Sequence, residues 1–208
     1  MAAWYSRAML DSAFGKPGAT IDRALNHLAD VCVRWTITPN ALTYAAVVLG
    51  IVAGGLFALD WMWTALGVVL LSGVADAIDG RVARRGSGST RWGGVLDLTF
   101  DRVVEAAVLL GIALPRPAWH APALVLAATW YVNLCVFLAI GAASEGASAK
   151  VIHYAPGLLE RAELLVLALV VVALPSLAPT AAYVYAALEV VTATQRFTYG
   201  RRALGSLR

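Results

Sequence analysis

The chain is poor in charge. Asp, Glu, Lys and Arg make up 14% of its 208 residues, against about 25% in soluble domains. An ordinary soluble domain is therefore excluded. A nucleic-acid-binding surface is excluded as well, because the net charge is only +3 and the basic residues form no aromatic-lined groove. Cysteine is scarce too. Cys32 and Cys135 belong to no CxxC motif and no Cys/His cluster, which rules out a disulfide framework or a zinc site and leaves both as small buried hydrophobes. Internal repeats are absent, and the one low-complexity piece is the GSGS at Gly86 to Ser89. The first residues, MAAWYSRAMLDSAFGKPG, lack the basic region and apolar run of a cleaved signal peptide.

What the chain does have is apolar length. It is 60% hydrophobic, with a mean hydropathy of +0.73. A helix crossing a bilayer needs about 20 apolar residues. On that basis six spans are expected, roughly Ala41 to Leu59, Trp61 to Val82, Gly94 to Leu114, Ala121 to Ala142, Leu158 to Leu174 and Thr180 to Thr198. Asp60, LPRPAWH, YAPG and LPSLAP punctuate them. Before the first span, Ile21, Leu25, Leu28, Cys32 and Trp35 recur at spacings of three and four, with Asp22, Arg23, Asn26, Asp30 and Arg34 between them. That pattern predicts an amphipathic helix in the membrane interface. Pro39 then turns the chain into the first span. The expected fold class is an all-α integral membrane protein, with an N-terminal interfacial segment over residues 1–38 and a six-helix domain over 39–208.

Basic residues orient these spans. Arg7, Lys16, Arg23, Arg34, Arg84, Arg85, Arg91, Lys150, Arg201, Arg202 and Arg208 fall on one side, and only Arg116 falls on the other. Both termini and the loop between spans two and three are therefore expected in the cytoplasm. The single histidine of the loop after span four, His153, reads as solvated. Glu189, inside the last span, requires a partner, expected to be a tyrosine or an arginine one or two turns away. Trp61, Trp63, Trp119 and Trp130 read as interface anchors or lipid-facing bulk.

The most informative stretch is VADAIDGRVARRGSGSTRWGGVLDLTFDR, residues 74–102, with four aspartates and five arginines between two apolar segments. Asp76 and Asp79 are three apart near the end of span two, and Asp97 and Asp101 are four apart at the start of span three. Each pair lies on one helix face, so two antiparallel helices point four carboxylates at one volume. Carboxylates beside lipid need cations. Arg81, Arg84, Arg85, Arg91 and Arg102 are one source. Divalent metal is the other: an all-oxygen donor set with no His or Cys nearby suits Mg²⁺ or Mn²⁺. Four carboxylates suffice for two ions, as in in-line displacement at phosphorus. Spacing alone leaves both readings open. Gly80, Gly93 and Gly94 allow close helix contact or close approach of phosphate, and Arg84 is placed to meet such an anion. A cation transporter is the competing class; against it, transport sites lie near the midplane, not at one membrane face.

Asp76-x-x-Asp79-Gly80-x-x-Ala83-Arg84, then eight residues, then Gly93-x-x-x-Asp97-x-x-x-Asp101, resembles the signature of the CDP-alcohol phosphatidyltransferase family. The resemblance implies transfer of a phosphatidyl group from CDP-diacylglycerol to an alcohol, with release of CMP. It also implies two divalent cations, Mg²⁺ or Mn²⁺, on Asp76, Asp79, Asp97 and Asp101, with Asp101 also the general base. Pro39, Asn40, Ala41, Leu42, Gly80, Ala83, Arg84, Thr90 and Gly93 would bind the CDP-lipid. The pieces TRWGGVLDLTFDR, GLLERAE and QR are similar to those of bacterial phosphatidylinositol-phosphate synthases. By that resemblance, Lys150, Arg161 and Arg196 would grip the phosphate of a soluble acceptor such as inositol phosphate. Those enzymes tend to carry a second basic residue where this chain has Ile152; glycerol phosphate, serine or another alcohol is the alternative acceptor. The resemblance further implies a homodimer in a bacterial or archaeal cell membrane.

Overall fold

A computed structural model describes residues 17–86, 90–143 and 162–205, and among them all regular structure is helical. The elements are α1 (Pro17–Arg34), α2 (Pro39–Ala58), α3 (Met62–Arg85), α4 (Arg91–Ala113), a 3₁₀ turn (Pro117–Trp119), α5 (His120–Ala143), α6 (Ala162–Ala173) and α7 (Ala178–Gly205). Pro39–Ala58, Met62–Arg85 and Pro117–Ala143 are long and apolar enough to cross a bilayer, and Leu164–Ala173 is a shorter apolar helix. The helices overrun the apolar limits in two places. α3 continues to Arg85 and α7 to Gly205, because helical hydrogen bonds form as well in polar as in apolar sequence and neither extension, 83–85 or 199–205, contains a proline.

The chain divides into two compact units, Met1–Gly111 and Ile112–Arg208. In the first, Thr38 caps α2, its Oγ1 accepting from the Ala41 amide at 3.3 Å, and Pro39 occupies the first turn, where its missing N–H costs nothing. Asp60 then adopts φ 62°, the left-handed geometry that reverses the chain into α3. Ser72 Oγ donates to the Ala46 carbonyl at 2.7 Å and joins α3 to α2. α4 meets α2 almost backbone to backbone: a Cβ on Gly54 would strike the Ala107 carbonyl, and one on Gly111 would strike the Gly54 carbonyl. Tyr44 and Phe100 meet across the same two helices with ring centroids 5.3 Å apart and their planes tilted by 59°.

α1 packs on the end of α3. Ala29, Ile78 and Val82 form a buried cluster, with Leu25, Cys32 and Leu42 against it. Beside it, Arg81 Nη2 pairs with Asp22 at 2.8 Å, Arg85 Nε pairs with Asp30 at 2.8 Å, and Arg85 Nη2 donates to Asn26 Oδ1 at 2.7 Å. The expected division of α1 into apolar and polar faces is thus redrawn. Leu25 and Cys32 join Asp22, Asn26 and Asp30 in facing α3, since positions three and four apart share a face. Ile21, Leu28 and Trp35 are left exposed.

In the second unit Trp119 and Trp130 are buried, not lipid-facing as expected, while Trp61 and Trp63 of the first unit are exposed. Trp130 meets Tyr185 edge-on at 5.9 Å. Both cysteines are free; Cys135 is exposed where a buried position was expected. Glu189 accepts a hydrogen bond from Asn133 Nδ2 of α5, a partner on another helix that the sequence did not point to.

Candidate active site

The four aspartates come from adjoining ends of α3 and α4. Asp76, Asp97 and Asp101 each present a carboxylate oxygen, and these atoms lie within 4.8 Å of one another. Like charges so close repel by roughly 3 kcal/mol per pair at an effective dielectric of about 20, so the trio favours a cation between its members. The donors are all carboxylate oxygens, and among the described residues no His or Cys joins them. That set fits a hard divalent ion.

Asp79 stands just outside the trio. It is buried, and its Oδ2 lies 2.6 Å from Thr43 Oγ1. That hydroxyl is also 3.1 Å from the Pro39 carbonyl. It has one proton, and the shorter, charge-assisted bond to the carboxylate takes it. Thr43 thereby fixes the rotamer of Asp79. Sequence reasoning did not find Thr43, whose side chain carries no signal until α2 is laid beside α3.

Three arginines of this stretch are paired outside the aspartate cluster. Arg81 and Arg85 are engaged by α1, and Arg102 pairs with Glu105 at 2.7 Å. Arg84, one turn past Gly80, forms no ion pair among the described residues; a Cβ on Gly80 would lie 3.4 Å from its Nη1.

A cavity of about 390 Å³ opens beside the aspartates. α2 contributes Pro39, Asn40 and Thr43 to its wall, with Thr38 just before them; α3 contributes Asp79, Gly80 and Ala83; Thr90, Gly93, Gly94 and Asp97 complete it. Thr90 caps α4, its Oγ1 accepting from the Gly93 amide at 2.9 Å. A Cβ on Gly93 would lie 3.1 Å from Thr90 Oγ1. Glycine there keeps the cap and the cavity wall close together. Of the residues expected around the CDP-lipid, Pro39, Asn40, Gly80, Ala83, Thr90 and Gly93 line this cavity. Ala41 and Leu42 do not. Ala41 is exposed and Leu42 packs into the apolar cluster under α1, because one face of a helix carries positions 39, 40 and 43 and turns 41 and 42 away.

Arg196 lies in the second unit. Its Nη1 donates to Asn133 Oδ1 at 2.9 Å, and its guanidinium sits 5.4 Å from the Phe137 ring centroid. Lys150, Arg161, Ile152 and His153 lie outside the described residues.

Residues 36–195 match the family model for CDP-alcohol phosphatidyltransferase. The chain is 30% identical to the phosphatidylinositol phosphate synthase of Mycolicibacterium smegmatis over 86% of this chain and 85% of that protein. It also resembles crystal structures of Mycobacterium tuberculosis phosphatidylinositol phosphate synthase. One, in complex with manganese and citrate, has a TM-score of 0.63 at 27% identity, covering 85% of this chain and 88% of that one. Another, with CDP-DAG bound, has a TM-score of 0.64 at 26% identity, covering 86% and 94%. With a family match spanning most of its length and the aspartates gathered beside one cavity, the chain belongs to the CDP-alcohol phosphatidyltransferase family.

Proposed function

We propose that this membrane enzyme transfers the phosphatidyl group of CDP-diacylglycerol to the hydroxyl of a phosphorylated polar alcohol, inositol phosphate in the first place, and releases CMP. The observation that carries the reading is the meeting of Asp76, Asp97 and Asp101 beside a cavity walled by Asp79, Gly80 and Gly93.

Asp76, Asp79, Asp97 and Asp101 would hold two divalent cations, Mg²⁺ or Mn²⁺, which supply positive charge against the diphosphate and its leaving group. Asn40, Gly80, Ala83, Thr90 and Gly93 form the wall along which the CDP moiety lies, and Arg84 offers a planar cation to its phosphates. Asp101 takes the proton of the acceptor hydroxyl as that oxygen bonds to the phosphatidyl phosphorus. The bond from this phosphorus to CMP breaks, and CMP leaves with the electron pair. A phosphorylated acceptor suits the three cations Lys150, Arg161 and Arg196. Similarity to proteins named phosphatidylinositol phosphate synthase supports the choice.

α2 to α7 are the six spans, residues 1–38 form the interfacial segment and 39–208 the catalytic domain. The distribution of arginine and lysine supports cytoplasmic termini and a cytoplasmic site, in a bacterial or archaeal cell membrane. The protein works as a homodimer; the apparent mass in detergent, by light scattering, tests that.

The test of function is CMP release. Purified protein with Mg²⁺ or Mn²⁺ and CDP-diacylglycerol is given inositol phosphate, glycerol phosphate, serine or free inositol. Release with inositol phosphate is expected. Asp101→Asn is expected to lower the rate by about a thousandfold or more, roughly 4 kcal/mol of barrier, with nucleotide binding retained. Wild-type turnover by Asp101→Asn removes the base assignment, and turnover only with an uncharged alcohol removes the roles of Lys150, Arg161 and Arg196.

A further inference from the structure

The second unit buries a polar network that the proposed chemistry does not use. α5 is apolar over most of its length, yet its Asn133 is buried where it faces the buried Glu189 of α7. Polar groups inside such helices are costly and are kept for a function or a fixed partner. Asn133 and Phe137, four apart, share one face of α5; Glu189 and Arg196, seven apart, share one face of α7.

The Asn133 amide connects the two charges. Its Nδ2 donates to Glu189 Oε2, and its Oδ1 accepts from Arg196 Nη1 at 2.9 Å. An amide has one donating and one accepting end. Glu189 takes the donating end, so the carbonyl must turn toward Arg196. Phe137 then supports the guanidinium from below at 5.4 Å. Left to itself, an arginine near a helix end would reach for water in many conformations. Here its head is held by two groups on a neighbouring helix.

The geometry points to Asn133 as a positioning residue for acceptor binding, with Glu189 setting its amide and Phe137 seating the guanidinium. Together they fix Arg196 in the conformation that meets the acceptor's phosphate. The inference rests on the acceptor-binding role of Arg196 proposed above. It adds that selectivity for a phosphorylated acceptor depends on residues that never touch it. Pre-organisation is the reason: a guanidinium already fixed loses less freedom when the anion arrives.

The test measures KM for inositol phosphate and KM for CDP-diacylglycerol separately, in the full-length enzyme with Mn²⁺. Asn133→Leu is expected to raise the first by about tenfold or more, the effect of losing a charge-assisted hydrogen bond, and to leave the second within about twofold. Phe137→Leu, which spares the buried hydrogen bonds and serves if Asn133→Leu fails to fold, is expected to raise it about threefold. The double exchange Asn133→Asp with Glu189→Gln reverses donor and acceptor between those two residues and keeps one carboxylate beside Arg196. It is expected to return KM for inositol phosphate to within about threefold of wild type, whereas Asn133→Asp alone places two carboxylates together and does not. A merely structural network would change the yield of folded enzyme and kcat without this split in KM or this rescue. If Arg196→Ala raises KM for inositol phosphate but the Asn133 and Phe137 variants do not, the inference fails and the acceptor reading stands. If Arg196→Ala leaves that KM unchanged, the acceptor reading fails and takes the inference with it.

Discussion

Asp76, Asp97 and Asp101 carry charge of one sign and meet across α3 and α4; Asn133, Glu189 and Arg196 carry both signs and meet across α5 and α7. On the function proposed above, the first group takes a divalent ion between its members. In the second, donor and acceptor already answer each other. The difference separates two uses of polar residues in an apolar chain. A same-sign cluster keeps repulsion in the protein until a ligand relieves it, as a metal-dependent site requires. A mixed-sign network uses its hydrogen bonds to hold a geometry before any ligand arrives.

Asp101→Asn, with its loss of about a thousandfold in rate, is the largest effect expected and acts on the first group alone. The next tests the contrast itself, through thermal stability of the metal-free protein in detergent. Glu189→Ala leaves the donating end of the buried Asn133 amide without its carboxylate acceptor and is expected to cost roughly 1–3 kcal/mol. Asp97→Asn removes one of three like charges and is expected to raise the melting temperature by about 2–4 °C. It is also expected to reduce the further rise that Mn²⁺ brings to the wild type. If Asp97→Asn lowers metal-free stability as Glu189→Ala does, the two groups are not built on different plans.

A smaller effect sharpens the account of Asp79, the aspartate outside the trio. Thr43→Val keeps the shape of the side chain and removes the proton given to Oδ2. Outer partners of ligating carboxylates are worth about 10–100-fold in metal affinity or activity. A fall of that size in the Mn²⁺ dependence of CMP release is therefore expected, and an unchanged Mn²⁺ titration would show that Asp79 needs no such support. The smallest effect belongs to α1. Asp22 and Asp30 are more than half exposed, and exposed ion pairs contribute about 0.2–1 kcal/mol each. Asp22→Asn and Asp30→Asn are expected to lower the melting temperature only slightly. A much larger loss would mean that these ion pairs, and not the apolar cluster of Ala29, Ile78 and Val82, hold α1 to α3.

Much of the site could be read in the sequence because each aspartate pair lies on one turn of one helix, where spacing alone determines the shared face. Six of the nine residues expected around the CDP-lipid line the cavity for a similar reason: Gly80, Ala83 and Gly93 share helices with the aspartates. Ala41 and Leu42, expected there because the stretch from 39 to 42 was taken whole, stay off the cavity wall, since a helix presents only some of four consecutive positions to one side. Buried Trp119 and Trp130 were misread as anchors because an apolar aromatic fits a lipid face and a protein interior equally well.

Local spacing in this sequence determined the helices, their polar ends and the paired aspartates, since each of these depends on residues within a turn or two of one another. The tertiary structure decided which groups answer across helices: Thr43 with Asp79 at a separation of 36 residues, Asn133 with Glu189 at 56, and Asp22 with Arg81 at 59. Helical periodicity carries no information about which faces meet. That is set by how closely backbones can approach, as at Gly54 and Gly111, and by which polar group on one helix satisfies a charge on another.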